Sequence, residues 1–169
     1  LIHNEVYVIF QDSHNDVWIG TKGGLDKFDR KTKSFIHYWQ NTVTETRNYT
    51  SNKYCITSLY EDNSGILWIG TKGGLLELDP QRKKFVLYES DLENPNTLSF
   101  HEVSSICEED ENSIWVGTLA GLNLFNKTTK QFTRFYQNDK LTGSLSDSWT
   151  LALLKERSGT LWIGTNGGG

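Results

Sequence analysis

Residues 66–75 have the sequence Ile66-Leu67-Trp68-Ile69-Gly70-Thr71-Lys72-Gly73-Gly74-Leu75, and much of this segment occurs four times in the 169-residue chain. A tryptophan followed by Ile-Gly-Thr or Val-Gly-Thr stands at intervals of 50, 47 and 47 residues. The four tryptophans are Trp18, Trp68, Trp115 and Trp162. A long motif that returns at a nearly fixed period indicates one structural unit used several times.

Other positions keep the same spacing around each tryptophan. An acidic residue stands six positions before it, and a glycine stands two positions after it. The acids are Asp12, Asp62, Glu109 and Glu156, and the glycines are Gly20, Gly70, Gly117 and Gly164. We predict that the tryptophans fill the space between units. We also predict that the glycines are structural, because they allow a tight turn or a close approach of two backbones.

Each unit has the pattern of four short strands separated by turn residues. In the second unit these strands are 55–60, 66–71, 75–78 and 85–88, with turn sequences at 61–65 and at Asp79-Pro80. Four strands in roughly 47 residues are typical of a β-propeller blade. The sequence therefore predicts an all-β fold, a partial β-propeller of about three and a half four-stranded antiparallel blades in an open arc. The expected blades span about 1–50, 51–98, 99–145 and, for the half blade, 146–169.

Composition excludes some classes of function. The net charge is −4, from 17 basic and 21 acidic residues spread along the chain, so no basic face is available for nucleic acid. No apolar stretch approaches the roughly 20 residues that a bilayer span requires. The two cysteines, Cys55 and Cys107, have no metal-ligand spacing, and we predict that both are free thiols.

Candidate catalytic and metal-binding residues are few. The carboxylates of residues 108–111 are the ligand type of a calcium site or of an acid/base pair, but their position after a first strand favours a solvated turn. The four histidines have no partner at ligand spacing and no serine or cysteine nucleophile beside them. We therefore predict no catalytic residue, no metal and no cofactor, so that this segment is not an enzyme.

The connection between the first two units is the best candidate for ligand binding. It runs from Trp39 to Lys53, is three residues longer than its counterparts, and contains Arg47 and Tyr49 among Thr and Asn residues. Aromatic rings stack on sugars and polar groups bind their hydroxyls. In a propeller this connection shares one face with the Gly-Gly turns, which would add Lys22, Lys72 and Asn166. A merely variable surface loop remains the alternative.

The segment from Glu61 to Leu75 resembles the two-component regulator propeller repeat, and the resemblance extends over essentially the whole chain. Departures are Ala120, which replaces the first glycine of a pair, and Asn15-Asp16, where a turn glycine is usual. The resemblance implies the sensor region of a bacterial hybrid two-component system, located in the periplasm and anchored in the inner membrane by its parent protein. It further implies histidine kinase activity outside these residues and a glycan or oligosaccharide ligand.

Three and a half blades cannot close a ring, so both ends of the array are expected to leave apolar strand surface uncovered. We expect a fragment of a longer propeller, or copies that self-associate through the open ends, or a dimeric parent. A second class of function also stays open at this point. The same blades occur in propellers of carbohydrate-active lyases or hydrolases and in protein-docking scaffolds.

Overall fold

The computed structural model describes residues 1–40 and 51–168, and these residues form an all-β array. Three four-stranded antiparallel sheets are followed by one two-stranded sheet, which confirms the predicted partial propeller. We call the four sheets blades one to four. No described helix is long and apolar enough to span a bilayer.

The chain runs through each blade from the first strand to the last in spatial order. Blade one contains β1 (Val6–Gln11), β2 (Val17–Thr21), β3 (Gly24–Asp29) and β4 (Ser34–Gln40). After a 3-10 helix at Ser51–Tyr54, blade two contains β5 (Ile56–Glu61), β6 (Leu67–Thr71), β7 (Gly74–Leu78) and β8 (Phe85–Tyr88). Blade three contains β9 (Val103–Asp110), β10 (Ser113–Thr118), β11 (Gly121–Asn126) and β12 (Gln131–Phe135), and blade four contains β13 (Thr150–Lys155) and β14 (Leu161–Thr165).

The four tryptophans occupy one position of this repeating register. Each lies on the second strand of its blade and faces a residue of the first strand. The facing pairs are Trp18 with Phe10, Trp68 with Tyr60, Trp115 with Cys107, and Trp162 with Leu154. The sequence period thus corresponds to one blade.

The hydrophobic core lies between successive blades. Trp18 is fully buried in a cluster that also contains Leu67, Ile69, Leu76 and Leu78 of blade two. In the next interface Trp68 is fully buried, and its cluster is completed by blade three. The blade-three members of that cluster are Val103, Ile106, Ile114, Val116, Phe125 and Phe132. Burial of a tryptophan in each of these two interfaces accounts for the regular spacing of this residue.

The same positions are exposed at the two ends of the array. Trp162 on blade four is 58% exposed, and Ile9 on blade one is 68% exposed. Their interior equivalents, Trp68 and Ile106, are 0% and 7% exposed. Within residues 1–40 and 51–168 no further sheet covers either end, so the apolar faces that blades use to stack are open there.

Glycines are required at two kinds of position. At Gly70 a Cβ atom would lie 2.2 Å from Ser58 Oγ of the same blade and 2.8 Å from Val103 Cγ1 of the next blade, so a side chain does not fit there. At Gly74, φ is +141° and a Cβ atom would lie 2.5 Å from the carbonyl oxygen of Tyr88. The turn that Gly65 makes with φ of +79° is made in blade one by Asn15 with φ of +65°. Asparagine tolerates this left-handed conformation, so the departure at Asn15 leaves the fold intact.

Turns divide the array into two faces. The turns between the first and second strands and between the third and fourth strands lie on one side, which we call the acid-turn face. The turns between the second and third strands lie on the other side, together with the connections from one blade to the next. We call this side the Gly-turn face.

Candidate functional site

The candidate site lies on the Gly-turn face between blades one and two. A cavity of about 90 Å³ is lined there by six residues. They are Trp39, Lys53, Tyr54, Thr71, Gly73 and Leu87. Trp39 at the end of β4 thus lies beside the Gly turn of blade two. This agrees with the expectation that the connection after β4 and the Gly turns share one face. The cavity is smaller than a typical ligand pocket, so it can contact one edge of a ligand but cannot enclose the ligand.

Aromatic rings form the floor of this site. The ring centroids of Trp39 and Phe85 are 5.2 Å apart, and those of Trp39 and Tyr54 are 6.0 Å apart. The ammonium nitrogen of Lys53 lies 5.3 Å from the centroid of the Tyr54 ring. Trp39 and Tyr54 are each partly exposed and Lys53 is exposed. Such a combination of ring faces with a hydrogen-bond donor suits a polar ligand that also has an apolar face.

Sequence reasoning identified Trp39 but missed Lys53 and Tyr54. Lys53 is the last residue of the long connection and Tyr54 follows it, so their position at its end was the available signal. Arg47 and Tyr49, also predicted to bind ligand, lie outside the described residues.

Lys22 and Lys72 begin the Gly turns of blades one and two, and each forms an ion pair. Lys22 Nζ lies 2.9 Å from Glu5 Oε1, and Lys72 Nζ lies 3.0 Å from Glu102 Oε1. The hydrogen bonds to these carboxylates raise the pKa of both lysines above the usual value. Both ammonium groups are therefore charged at neutral pH. The side chains remain 41% and 33% exposed, so each can donate a further hydrogen bond.

Asn166 occupies the corresponding turn position in blade four. Its backbone N–H donates to the carbonyl oxygen of Trp149 at 3.0 Å, as that of Lys72 donates to Cys55 at 3.1 Å. Asn166 is exposed, but it lies two blades away from the Trp39 cavity. The structure therefore brings together Trp39 and the turn that holds Lys72, whereas Asn166 belongs to a different part of the same face.

The acids that precede each tryptophan have a structural role on the acid-turn face. Asp12 Oδ2 accepts the indole N–H of Trp18 at 2.9 Å, and Asp62 does the same for Trp68. Glu109 and Glu156 accept the indole N–H groups of Trp115 and Trp162 at 2.5 and 2.7 Å. The recurring acid thus accepts the indole N–H of the tryptophan in every blade, and in the first two blades it satisfies the polar atom of a fully buried ring.

The interpretation of residues 108–111 as a solvated turn was wrong for Glu108. Strand β9 extends to Asp110, and Glu108 on this strand is buried. Glu108 is 9% exposed and lies 3.1 Å from Lys127 Nζ, while Glu109 lies 2.6 Å from Lys155 Nζ. The side chain of Glu109 is 32% exposed, and the last two acids of the run are exposed to solvent.

One group of side chains on the acid-turn face has the ligand types of a metal site. Oxygen or nitrogen atoms of Asp12, His14 and Glu61 lie within 4.8 Å of one another. However, Arg82 Nη2 lies 3.1 Å from Asp12 Oδ2 and 2.5 Å from Glu61 Oε1. The guanidinium already supplies the positive charge between these carboxylates, so the group is an ion-pair network that joins two blades.

Comparison with known proteins places the chain among repeat propellers. The family model of the two component regulator propeller matches residues 1–23 and 50–73. The extracellular domain of a hybrid two-component system from B. thetaiotaomicron is similar over 98% of this chain and 22% of its own, with 26% identity and a TM-score of 0.77. No curated protein sequence matches the chain.

Two further solved structures share the fold. A second extracellular domain of a B. thetaiotaomicron hybrid two-component system is 21% identical with a TM-score of 0.80, over 98% of this chain and 21% of its own. Streptogramin B lyase is 13% identical with a TM-score of 0.69, over 98% of this chain and 50% of its own. The chain spans about a fifth of the length of these two extracellular domains.

Proposed function

We propose that this chain is a ligand-sensing segment of a hybrid two-component sensor, because the two component regulator propeller model matches residues 1–23 and 50–73 and the extracellular domain of a hybrid two-component system shares its fold. The related sensor domains are extracellular, which supports a periplasmic or extracytoplasmic location for this segment. In this proposal the histidine kinase that produces the output lies elsewhere in the parent protein, which a membrane anchor holds in the inner membrane.

The proposed ligand is a glycan or oligosaccharide bound on the Gly-turn face. The observation that carries this proposal is the placement of Trp39 and Tyr54 beside the Gly turn that begins with Lys72. A pyranose ring has an apolar face that stacks on an indole or phenol ring, while its hydroxyls accept hydrogen bonds from ammonium groups. Arg47 and Tyr49 would extend this surface from the connection that precedes it.

Glycan binding is tested first with a glycan array on the full extracytoplasmic region and then by calorimetry with the best ligand. We expect Lys53→Ala, Lys72→Ala, Arg47→Ala and Tyr49→Ala each to weaken binding about tenfold, which corresponds to about 1.4 kcal/mol. Lys83→Ala is the matched control, because Lys83 is an exposed lysine of the acid-turn face. Unchanged affinity in all four variants would remove this face from the proposal.

The sequence of the parent gene tests whether the segment belongs to a sensor. We expect a transmembrane helix and a histidine kinase core in the same reading frame after the propeller region. A lyase, a hydrolase or a docking scaffold built on the same blades would lack both. The parent gene sequence therefore tests the functional class, whereas the binding experiments test the ligand face.

Self-association is the remaining part of the proposal. The open faces of blades one and four expose Ile9 and Trp162, and apolar faces of this kind associate in water. We expect the isolated segment to sediment as a dimer or larger species at high protein concentration. A strict monomer over the accessible concentration range would contradict association through these faces.

A further inference from the structure

Two residues before the first strand of blade three hold the same repeat positions as Lys53 and Tyr54 of the Trp39 cavity. They are Phe100 and His101, which stand 47 residues after Lys53 and Tyr54. The ring centroids of Phe100 and His101 are 4.0 Å apart, with an angle of 35° between the ring planes. His101 is exposed and Phe100 is partly exposed. We call this stacked pair the blade-three platform.

The backbone confirms that these positions correspond. The N–H of Leu119 donates to the carbonyl oxygen of Glu102 at 3.3 Å, as that of Lys72 donates to Cys55 at 3.1 Å. Glu102 follows His101 directly, just as Cys55 follows Tyr54. The blade-three platform therefore lies on the Gly-turn face, beside the Gly turn of its own blade.

The residue types at these two positions differ from blade to blade. Blade one has His3 and Asn4, and blade four has Asp147 and Ser148. The acid that binds each tryptophan, by contrast, recurs in all four blades because the fold requires it. The stacked rings of blade three are therefore not a requirement of the blade, and exposed connection residues of this kind are the ones that propellers can use for binding.

Ala120 supports a separate position for Phe100. At Gly73, the first glycine of the blade-two turn, a Cβ atom would lie 2.7 Å from Lys53 Cβ. Blade three has a real methyl group at this position, on Ala120, so Phe100 cannot lie as close to its turn as Lys53 does. The departure from the Gly-Gly pair thus separates the connection from the turn at the platform.

An ion pair connects the Trp39 cavity with the blade-three platform. Lys72 precedes Gly73 of the cavity wall, and its Nζ lies 3.0 Å from Oε1 of Glu102, the neighbour of His101. The two side chains are 33% and 24% exposed, so both remain accessible. A sugar hydroxyl can accept from the ammonium group and donate to the carboxylate, whereas a carboxylate ligand would be repelled by Glu102.

On the basis of the glycan ligand proposed above, we infer that the blade-three platform is a second sugar-stacking site and that the ligand is an uncharged oligosaccharide that spans both sites. One sugar ring stacks on Trp39 and Tyr54, and another stacks on the rings of the platform. The hydroxyls between them bond to Lys72 and Glu102. A monosaccharide can occupy only one of the two sites.

Ligand size is the first test, on the full extracytoplasmic region. The probes are cello-, xylo- and manno-oligosaccharides from the monosaccharide to the hexasaccharide, with oligogalacturonides as the charged counterpart. Calorimetry measures the affinity of each. We expect at least one uncharged series to bind, with affinity rising about tenfold at the length that reaches the platform and staying level beyond it. Equal affinity at all lengths, or tightest binding of the oligogalacturonides, would overturn the inference.

Variants of the platform locate the gain in affinity. Phe100→Ala and His101→Ala should each weaken binding of the long oligosaccharides about tenfold and leave the short ones unchanged. Phe100→Tyr keeps a ring and should retain parental affinity. Lys53→Ala, in the Trp39 cavity, should weaken short and long ligands alike. Circular dichroism verifies that each variant is folded.

The outcomes separate this inference from the proposed function. Loss of binding in Lys53→Ala without any effect of Phe100→Ala and His101→Ala would overturn the second site and leave the ligand face in place. An equal effect of the platform variants on short and long ligands would also overturn a site that only long ligands reach. Absence of binding by every series would overturn both this inference and the glycan ligand on which it rests.

Discussion

Arg82 Nη2 of blade two lies 3.1 Å from Asp12 Oδ2 of blade one, and both side chains are buried from solvent. The same guanidinium donates to the carbonyl oxygen of Gly65 at 2.8 Å, so it joins the two blades at their turns. One interface further along, Lys127 makes the equivalent contact with Asp62 at 2.8 Å. Each interior interface is thus held by an apolar core with a tryptophan and by a buried cation above it.

Replacement of Arg82 by methionine tests the buried ion pair. The variant leaves the carboxylates of Asp12 and Glu61 buried without a cation, which typically costs about 3–5 kcal/mol. We expect the free energy of unfolding in urea to fall by this amount. Lys83→Met, at an exposed neighbour, should stay within about 0.5 kcal/mol of the parent. Equal effects of the two substitutions would show that the contact contributes nothing.

The pH dependence of stability follows from Asp12. Burial alone raises the pKa of Asp12, but hydrogen bonds from the Trp18 indole, the Asp16 amide and Arg82 outweigh it and leave the pKa below its usual 3.8. A carboxyl whose folded-state pKa is lowered contributes stability above its unfolded pKa and loses it as the pH falls through the folded value. We therefore expect the free energy of unfolding to decline as the pH falls below about 4.

The variant Asp12→Asn isolates this effect. It should be less stable than the parent at pH 7, and its loss of stability between pH 5 and 2 should be smaller, because this titration is absent. Asp139→Asn, at an exposed residue, should keep the parental pH profile. Parallel profiles of the parent and Asp12→Asn would contradict the assignment.

The reactivity of the cysteines reports on the blade interiors. Cys55 and Cys107 are free thiols that are 1% and 7% exposed. Burial raises the pKa of Cys107 to about 11 and also raises that of Cys55. We expect both thiols to react with a disulfide reagent at pH 8 at least a hundredfold more slowly than in urea. Ser64→Cys places a thiol at an exposed turn and should add one fast-reacting group.

The glycine two positions after each tryptophan can be replaced by alanine in a covered blade and in the last blade, which gives a matched pair of substitutions. In Gly70→Ala the new methyl group would lie 2.2 Å from Ser58 Oγ of the same blade and 2.8 Å from Val103 Cγ1 of the next blade, and we expect a loss of about 1–3 kcal/mol from overpacking. Gly164 holds the same position in blade four, and its nearest neighbour, the Ala152 side chain, would lie 3.5 Å away. Gly164→Ala should change the unfolding free energy by less than about 0.5 kcal/mol. An equal loss at both positions would argue against the packing explanation.

The repeat predicted the blades and the strand order because each unit uses the same residues at the same spacing. It did not reveal contacts that cross from one blade to the next between residues far apart in sequence. Lys127 and Asp62 are an example, since their pairing depends on how one turn overlies the preceding blade. Glu108 was misjudged because it was assigned to the turn, although it stands seven positions before Trp115, as Glu61 at the end of β5 stands before Trp68. Its burial depends on Lys127, which comes from the outer hairpin of the same blade. Lys53 and Tyr54 joined the candidate site only once the position of Trp39 against Gly73 was known.

The central claim is that equivalent strands of successive blades stack face to face, so that a side chain stabilises the fold only where the next blade covers it. Substitutions at the tryptophan positions test this claim most directly. Trp68 is fully buried, whereas Trp162 at the same repeat position is 58% exposed. We expect Trp68→Ala to lower the free energy of unfolding in urea by about 3–5 kcal/mol and Trp162→Ala to lower it by less than about 1 kcal/mol. Equal losses at the two positions, or a larger loss at Trp162, would contradict the stacked arrangement.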